Sequence, residues 1–234
     1  MKIDAGSPIM YGKSGVLLRL SKLNSIKNID YNNCLDLGAG NGAYSLELKN
    51  SIKQVTAFDI NKNYLNNLKS RIYSSIFVVN GSSAYLPFKD NSFESVFLIE
   101  TVEHFIELEK TVDEIYRVTK SGAIINVTVP NKYFILETHH VYIFGKTIDG
   151  RFIPFLPMSN FVHKRIGSAR RFSVKSLSYV FDDKRYQIIG HDYILPPFDN
   201  IRLGQKYLKP LSKLVEKCRL IFLAPTLVAV FKRI

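Results

Sequence analysis

The chain has no tryptophan, two cysteines and three methionines in 234 residues. Two thiols, Cys34 and Cys218, are too few for a disulfide framework. That excludes the small cross-linked secreted scaffolds and points to buried thiols in a reducing cytoplasm. Long apolar runs are also missing. The longest uncharged stretch, Leu220–Phe231, is interrupted by Pro225 and falls short of the roughly 20 residues that cross a bilayer. Met1–Met10 lacks the basic start and apolar centre of a secretory leader, so a cytoplasmic protein is expected, with no membrane contact beyond a peripheral one. Repeats, low-complexity tracts and flexible linkers are absent too. What remains is the balance of one globular domain, 46% hydrophobic and 22% charged.

Negative charge is scarce in one half only. Residues 1–130 carry 14 Lys/Arg against 13 Asp/Glu, whereas residues 131–234 carry 18 against 7. Nearly all of the net charge of +12 therefore sits in the second half. The asymmetry predicts an anionic partner there: a small phosphorylated or lipid-linked acceptor, with nucleic acid or an anionic membrane surface as less favoured partners.

Strand and helix patterns alternate through the first half, which predicts a parallel sheet covered on both faces. A leading helix is expected over Leu17–Ile26. Strands follow at Asn33–Leu37, Val55–Asp59, Ile76–Val79, Ser95–Glu100 and Ala123–Val129, with helices at Gly42–Ile52, Lys62–Ser74 and Glu107–Thr119 between them. The pattern is lost over 131–171, a segment rich in aromatics (Tyr133, Phe134, Tyr142, Phe144, Phe152, Phe155, Phe161) and in Arg and Lys. So many aromatics argue against disorder, and a cap inserted over the active site is expected. Order resumes at Ser173, a good N-cap for a helix to about Phe181. A strand at Tyr186–Ile194, a helix opening at Pro210 and a last strand at Thr226–Lys232 complete the chain. The whole reads as a single domain, with 31–131 as a cofactor-binding core, 132–172 as the cap and 173–234 completing the sheet.

Within this frame, Cys34-Leu-Asp-Leu-Gly-Ala-Gly-Asn-Gly42 is the most informative run. An apolar strand ends in a glycine turn and an amphipathic helix follows, as in nucleotide-binding α/β folds. Asp36, two residues before the first glycine, sits badly with a dinucleotide, because its carboxylate would repel the pyrophosphate that such a loop and helix end attract. It suits a ligand bearing ammonium and sulfonium charges, such as S-adenosylmethionine (SAM). Asp59, at the end of the second strand, is placed to accept hydrogen bonds from ribose hydroxyls, or to cap the helix that starts near Asn61.

Three further runs carry a resemblance. Gly81-Ser-Ser-Ala-Tyr-Leu-Pro-Phe-Lys-Asp-Asn-Ser-Phe-Glu-Ser-Val96 is followed by Phe97-Leu-Ile-Glu-Thr-Val-Glu-His-Phe105, by Glu114–Gly122 and by Val127–Asn131. Together with the glycine loop they resemble the class I SAM-dependent methyltransferases of small-molecule type, closely over Asn33–Asn131 and loosely from Ser173 onward. Two departures stand out: Glu94 replaces the usual acid, and Ser82 replaces an Asp that meets the adenine amino group. The resemblance implies a Rossmann-like α/β fold whose seven-stranded, mostly parallel sheet has its last strand antiparallel, with the inserted cap after the fifth strand. It implies SAM as the cofactor, held by Asp36, Gly38, Ala39, Gly40, Asn41, Asp59, Ile60, Ser82, Ser83, Glu100 and Thr101.

Catalytic candidates are His104, His140 and Tyr142. Substrate-binding candidates are Glu103, His139, Lys164, Arg165, Arg170 and Arg171. Adjacent His139 and His140 lack the i, i+4 spacing of a helical ligand pair, so no metal is expected. The reading is methyl transfer to an oxygen or nitrogen of a small acceptor, anionic or lipid-linked. Three rivals stand beside it: an RNA methyltransferase, an NAD-type oxidoreductase, and a non-enzymatic membrane-surface protein that keeps a degenerate cofactor fold.

Overall fold

Seven strands form one sheet, and the order in which they lie explains where a ligand can bind. The computed structural model describes residues 12–71, 76–137, 139–143, 146–149, 163, 165–195 and 221–234. Helix α1 (Lys13–Ile26) precedes β1 (Asn33–Leu37), α2 (Ala43–Leu48), β2 (Gln54–Asp59), α3 (Lys62–Lys69), β3 (Ile76–Asn80), β4 (Phe93–Ile99), α4 (Leu108–Val118) and β5 (Thr119–Pro130). A two-stranded hairpin, β6 (His140–Ile143) with β7 (Lys146–Asp149), lies outside the main sheet. Helix α5 (Val174–Phe181), β8 (Tyr186–Ile194) and β9 (Thr226–Arg233) follow.

The sheet runs β3-β2-β1-β4-β5-β9-β8. Strands β1 to β5 are parallel to one another, and β9 is antiparallel to both β5 and β8. The chain leaves β1 toward β2 and β3 on one side and later returns to β4 on the other. That reversal opens a crevice at the carboxyl ends of β1 and β4, where ligands of open α/β sheets sit. The expected sheet and its antiparallel last strand are both present.

Burial follows from this layering. Strand β1 is sealed apart from its first residue, and β9 is buried from Thr226 to Phe231, because each has neighbours on both edges and cover on both faces. One apolar cluster gathers Leu35, Leu98, Ile125, Val127, Leu177, Phe181 and Phe231; the other gathers Leu23, Cys34, Val55, Ala57, Phe97, Val228 and Val230. Cys34 is a buried free thiol, as expected, while Cys218 lies outside the described residues.

Several boundaries differ from the sequence reading. Helix α2 stops at Leu48 instead of running to Ile52, although Ile52 is still buried. Strand β5 starts at Thr119, directly after α4. It opens on an irregular pairing, with Gly122 at φ 78°, before the even register from Ile124 onward. The expected helix at Pro210, along with Phe144, Arg151, Phe152, Phe155 and Phe161, lies outside the described residues. Where it is described, the segment after β5 is the β6–β7 hairpin, and its two ends are tied side by side. Lys132 donates its amide to the Phe172 carbonyl at 2.9 Å, and Phe172 donates to the Pro130 carbonyl at 2.9 Å.

Candidate functional site

The loop after β1 is shaped by three glycines with positive φ: Gly38 at 84°, Gly40 at 53° and Gly42 at 77°. The amides of Gly38 and Ala39 both donate to the Phe58 carbonyl, at 2.8 and 3.0 Å, so the loop is pulled against the end of β2. A side chain at Gly38 would be doubly unfavourable. It would strain the backbone, and its Cβ would come within 2.2 Å of Thr101 Cγ2. Asp59 locks the other flank: its Oδ2 accepts from the Gly40 amide at 2.8 Å and its Oδ1 from the Asn61 amide at 2.7 Å. The carboxylate thus steadies the glycine loop and the start of α3 together, while its remaining lone pairs stay available.

Across the crevice, the Leu86–Asp90 loop is pinned from α4. Arg117 donates to the carbonyls of Phe88 and Leu86 at 2.7 and 2.9 Å and pairs with Asp90 at 2.8 Å, and the Leu86 amide donates to Glu114 at 2.6 Å. The signature runs around Leu86 and Glu114 therefore meet each other, and they shape the cavity from outside. Glu100, at the end of β4, is a non-glycine residue with φ 53°. Its Oε1 is held by Arg19 at 3.3 Å, by the Thr128 hydroxyl at 3.1 Å and by the Thr226 hydroxyl at 3.3 Å. An ion pair with side chains only 3% and 7% exposed fixes that unusual backbone turn.

These parts enclose a cavity of about 610 Å³, a common size for a small-molecule site. Gly38, Ala39, Gly40, Asn41, Asp59, Ile60, Ser82, Ser83, Glu100 and Thr101 all line it, and so does His104. Among its lining residues are the acids Asp59, Glu107 and Glu100, the last with its carboxylate paired to Arg19, and Lys62 is the one Lys or Arg among its described lining residues. Such a wall suits a cationic nucleoside with ribose hydroxyls to donate, and it suits a diphosphate poorly.

Asp36 corrects the sequence expectation. It is 2% exposed and is not part of the lining. It lies beneath the loop, where its Oδ2 accepts from the Ser45 hydroxyl at 2.5 Å. Burial pushes its carboxyl up to about 7, against the opposing hydrogen bond from Ser45. Asp36 therefore couples β1 to α2 from below, and the uncompensated negative charge at the cavity comes from Asp59 and Glu107, because the Glu100 carboxylate is paired with Arg19.

The remaining candidates divide. Glu103 is fully buried, with its carboxyl raised well above the ordinary range by burial and by neighbouring Glu100. The ring centroids of His104 and His139 are 5.5 Å apart. His140 is exposed on β6, Tyr142 is half-buried on the same strand, and neither lines the cavity. Arg170 and Arg171 do not line it either. Arg170 donates to the Phe105 carbonyl, while Arg171 donates to the Lys132 carbonyl at 3.1 Å and lies 4.0 Å from Glu137. Burial lowers both guanidinium pKa values. They staple the segment after β5 to the core, so their positive charge is spent on the protein itself. Arg165 is exposed, and Lys164 lies outside the described residues. Arg19, Glu137 and His163 escaped the sequence reading. Apart from the Glu137–His139 contact, their named partners are distant in sequence, and no local pattern marks them.

Strand order, glycine loop and cavity together define the class I SAM-dependent methyltransferase fold, and that class implies SAM as cofactor. The family model described as a methyltransferase domain matches residues 35–127. Two solved structures have the same fold: an S-adenosylmethionine-dependent methyltransferase from Mesorhizobium loti (TM-score 0.66, 12% identity, 95% of this chain and 100% of that one) and a putative one from Listeria monocytogenes (TM-score 0.64, 13% identity, 94% and 98%). Among curated proteins, the chain is 29% identical over 138 residues to the ubiquinone/menaquinone biosynthesis C-methyltransferase UbiE of Wigglesworthia glossinidia brevipalpis, covering 52% of this chain and 55% of that protein. It is 34% identical over 95 residues to 24-methylenesterol C-methyltransferase 2 of Arabidopsis thaliana, covering 38% and 26%. The chain thus spans about half the length of the first of these relatives and a quarter of the second.

Proposed function

We propose that the chain transfers the methyl group of SAM to an oxygen or nitrogen of a small, anionic acceptor. The observation that carries this reading is the single cavity in which the glycine loop, Asp59, Ser82, Ser83, Glu100 and Thr101 converge. SAM supplies a methyl carbon already activated by its sulfonium. The residues of this chain have to hold the donor, position a nucleophile beyond Glu100 and Thr101, and exclude water. Asp59 is the ribose acceptor, Ser82 and Ser83 lie at the adenine end, and Glu100 is fixed by Arg19 beside the cationic part of the donor. His104 stands at the edge from which an acceptor enters. The named relatives are C-methyltransferases, and the family match ends at residue 127. The charge surplus of residues 131–234 supports an anionic acceptor.

Binding of S-adenosylhomocysteine tests the donor site. Calorimetry is expected to give one site per chain and no site for NAD. Gly38→Ala is expected to weaken binding at least about tenfold, through the strained φ and the Thr101 collision. Binding of NAD but not of S-adenosylhomocysteine overturns the reading. Transfer of labelled methyl from SAM into a fractionated extract then identifies the acceptor class.

A further inference from the structure

We propose that Glu103, His104 and His139 bind one divalent first-row transition-metal ion at the edge of the donor cavity; that this ion holds a hydroxyl of the acceptor rests on the methyltransferase reading above. Each residue offers one ligand atom, and the three atoms lie within 4.8 Å of one another. Atoms bound to one such ion at about 2.0–2.2 Å lie roughly 3–3.5 Å apart, so small side-chain rotations close the set. The short turn Val102–His104 after β4 supplies two of the ligands, and the third arrives with the segment that leads into β6. His139 and His140 themselves lack the spacing of a helical ligand pair. The fold instead brings His139 to Glu103 and His104.

The second observation is the state of Glu103. Its carboxylate is fully buried, and neither oxygen has a hydrogen-bond partner among the described residues. Arg19, the nearby cation, is already committed to Glu100 and to the Thr226 hydroxyl. A buried carboxyl without a hydrogen-bond partner is one that a bound cation would satisfy. The surroundings of His139 match. Glu137 Oε1 lies 3.5 Å from His139 Nδ1, and the other Glu137 oxygen lies 2.8 Å from His163 Nε2. A carboxylate on the outer nitrogen of an imidazole fixes its tautomer and turns the other nitrogen toward a metal.

One carboxylate and two imidazoles form a borderline donor set. It favours zinc, manganese, iron or cobalt over magnesium and calcium, which take oxygen ligands. Three protein ligands leave coordination positions open. His104 lines the cavity, so an open position lies on the acceptor side. A hydroxyl bound there would have its pKa lowered and would release its proton to solvent near neutral pH. No side-chain base would be required.

The test uses the full chain, stripped with chelator and titrated with Co²⁺ by visible absorption and with Zn²⁺ by competition, with Mg²⁺ as comparison. One equivalent of Co²⁺ and Zn²⁺ is expected. Glu103→Gln and His139→Ala are each expected to weaken binding at least about 100-fold, while His191→Ala, which removes an exposed imidazole on β8, leaves it unchanged. Two substitutions from separate elements keep the result decisive if one of them unfolds the chain. No bound Co²⁺ or Zn²⁺, or binding indifferent to both ligand variants, overturns the site. S-adenosylhomocysteine affinity is read on the same samples. Its presence without metal binding removes this inference alone, and metal binding without it upholds the site while removing the methyltransferase reading.

Discussion

Asp36 titrates against its surroundings. Burial raises its carboxyl from 3.8 to about 7, so between those values the folded chain keeps a proton that the unfolded chain has lost. Stability contributed at this position therefore falls as pH rises from about 4 to 7 and stays lower above. Asp36→Asn removes that slope and is expected to raise stability at pH 8 by up to about 4 kcal/mol, at about 1.36 kcal/mol per pKa unit. At pH 4 the gain should vanish. Urea unfolding at the two pH values checks this, and equal gains at both would show that the amide acts by packing alone. Residues placed by local geometry were legible as neighbours around one cavity: Gly38, Gly40, Asp59 at a strand end, Ser82, Ser83, Glu100 and Thr101. Asp36 was legible as an acid at that place, but which way it faces depends on Ser45 one helix later. Arg19 was not legible, because it meets Glu100 across 81 residues.

Helix α5 shows how much a single cap decides for an element. Ser173 accepts from the Ser176 amide at 3.2 Å, and the Ser176 hydroxyl accepts from the Ser173 amide at 2.9 Å, a reciprocal pair that starts the helix where the segment after β5 rejoins the core. Ser173→Ala is expected to cost about 1 kcal/mol of stability and to leave S-adenosylhomocysteine affinity unchanged, since α5 contributes nothing to the cavity. A denaturant midpoint and a binding isotherm check the two halves of that statement. This start was readable because the signal is a serine before an apolar period. Strands β1 and β8 were readable to the residue, because their apolar runs are bounded by polar or proline punctuation. The β6–β7 hairpin was not. Its strands are four residues each, too short for their sequence to show an alternation. The early start of β5 was hidden for a related reason: Lys120, Ser121 and Gly122 read as a turn, and they fall inside the register shift between the Phe93–Thr119 and Ser95–Ile124 pairs.

At the scale of the whole molecule, charge and topology act separately. The cavity lies in the nearly neutral half, and the surplus of positive charge lies in residues 131–234. Once an acceptor is in hand, raising NaCl from about 50 to 300 mM is expected to increase its KM about threefold or more, while the affinity for zwitterionic S-adenosylhomocysteine changes less than about twofold. A flat acceptor KM would mean an uncharged acceptor. Among the described residues no helix is long and apolar enough to cross a membrane. Topology has a separate effect. Strand β9 pairs with β5 on one side and β8 on the other, and its Thr226 joins the Arg19–Glu100 group across 207 residues. On the ribosome, then, the finished edge of β5 has no mate until Thr226–Arg233 have been made. Through that interval the growing polypeptide presents a bare, apolar strand border, a stage at which chaperones would find it.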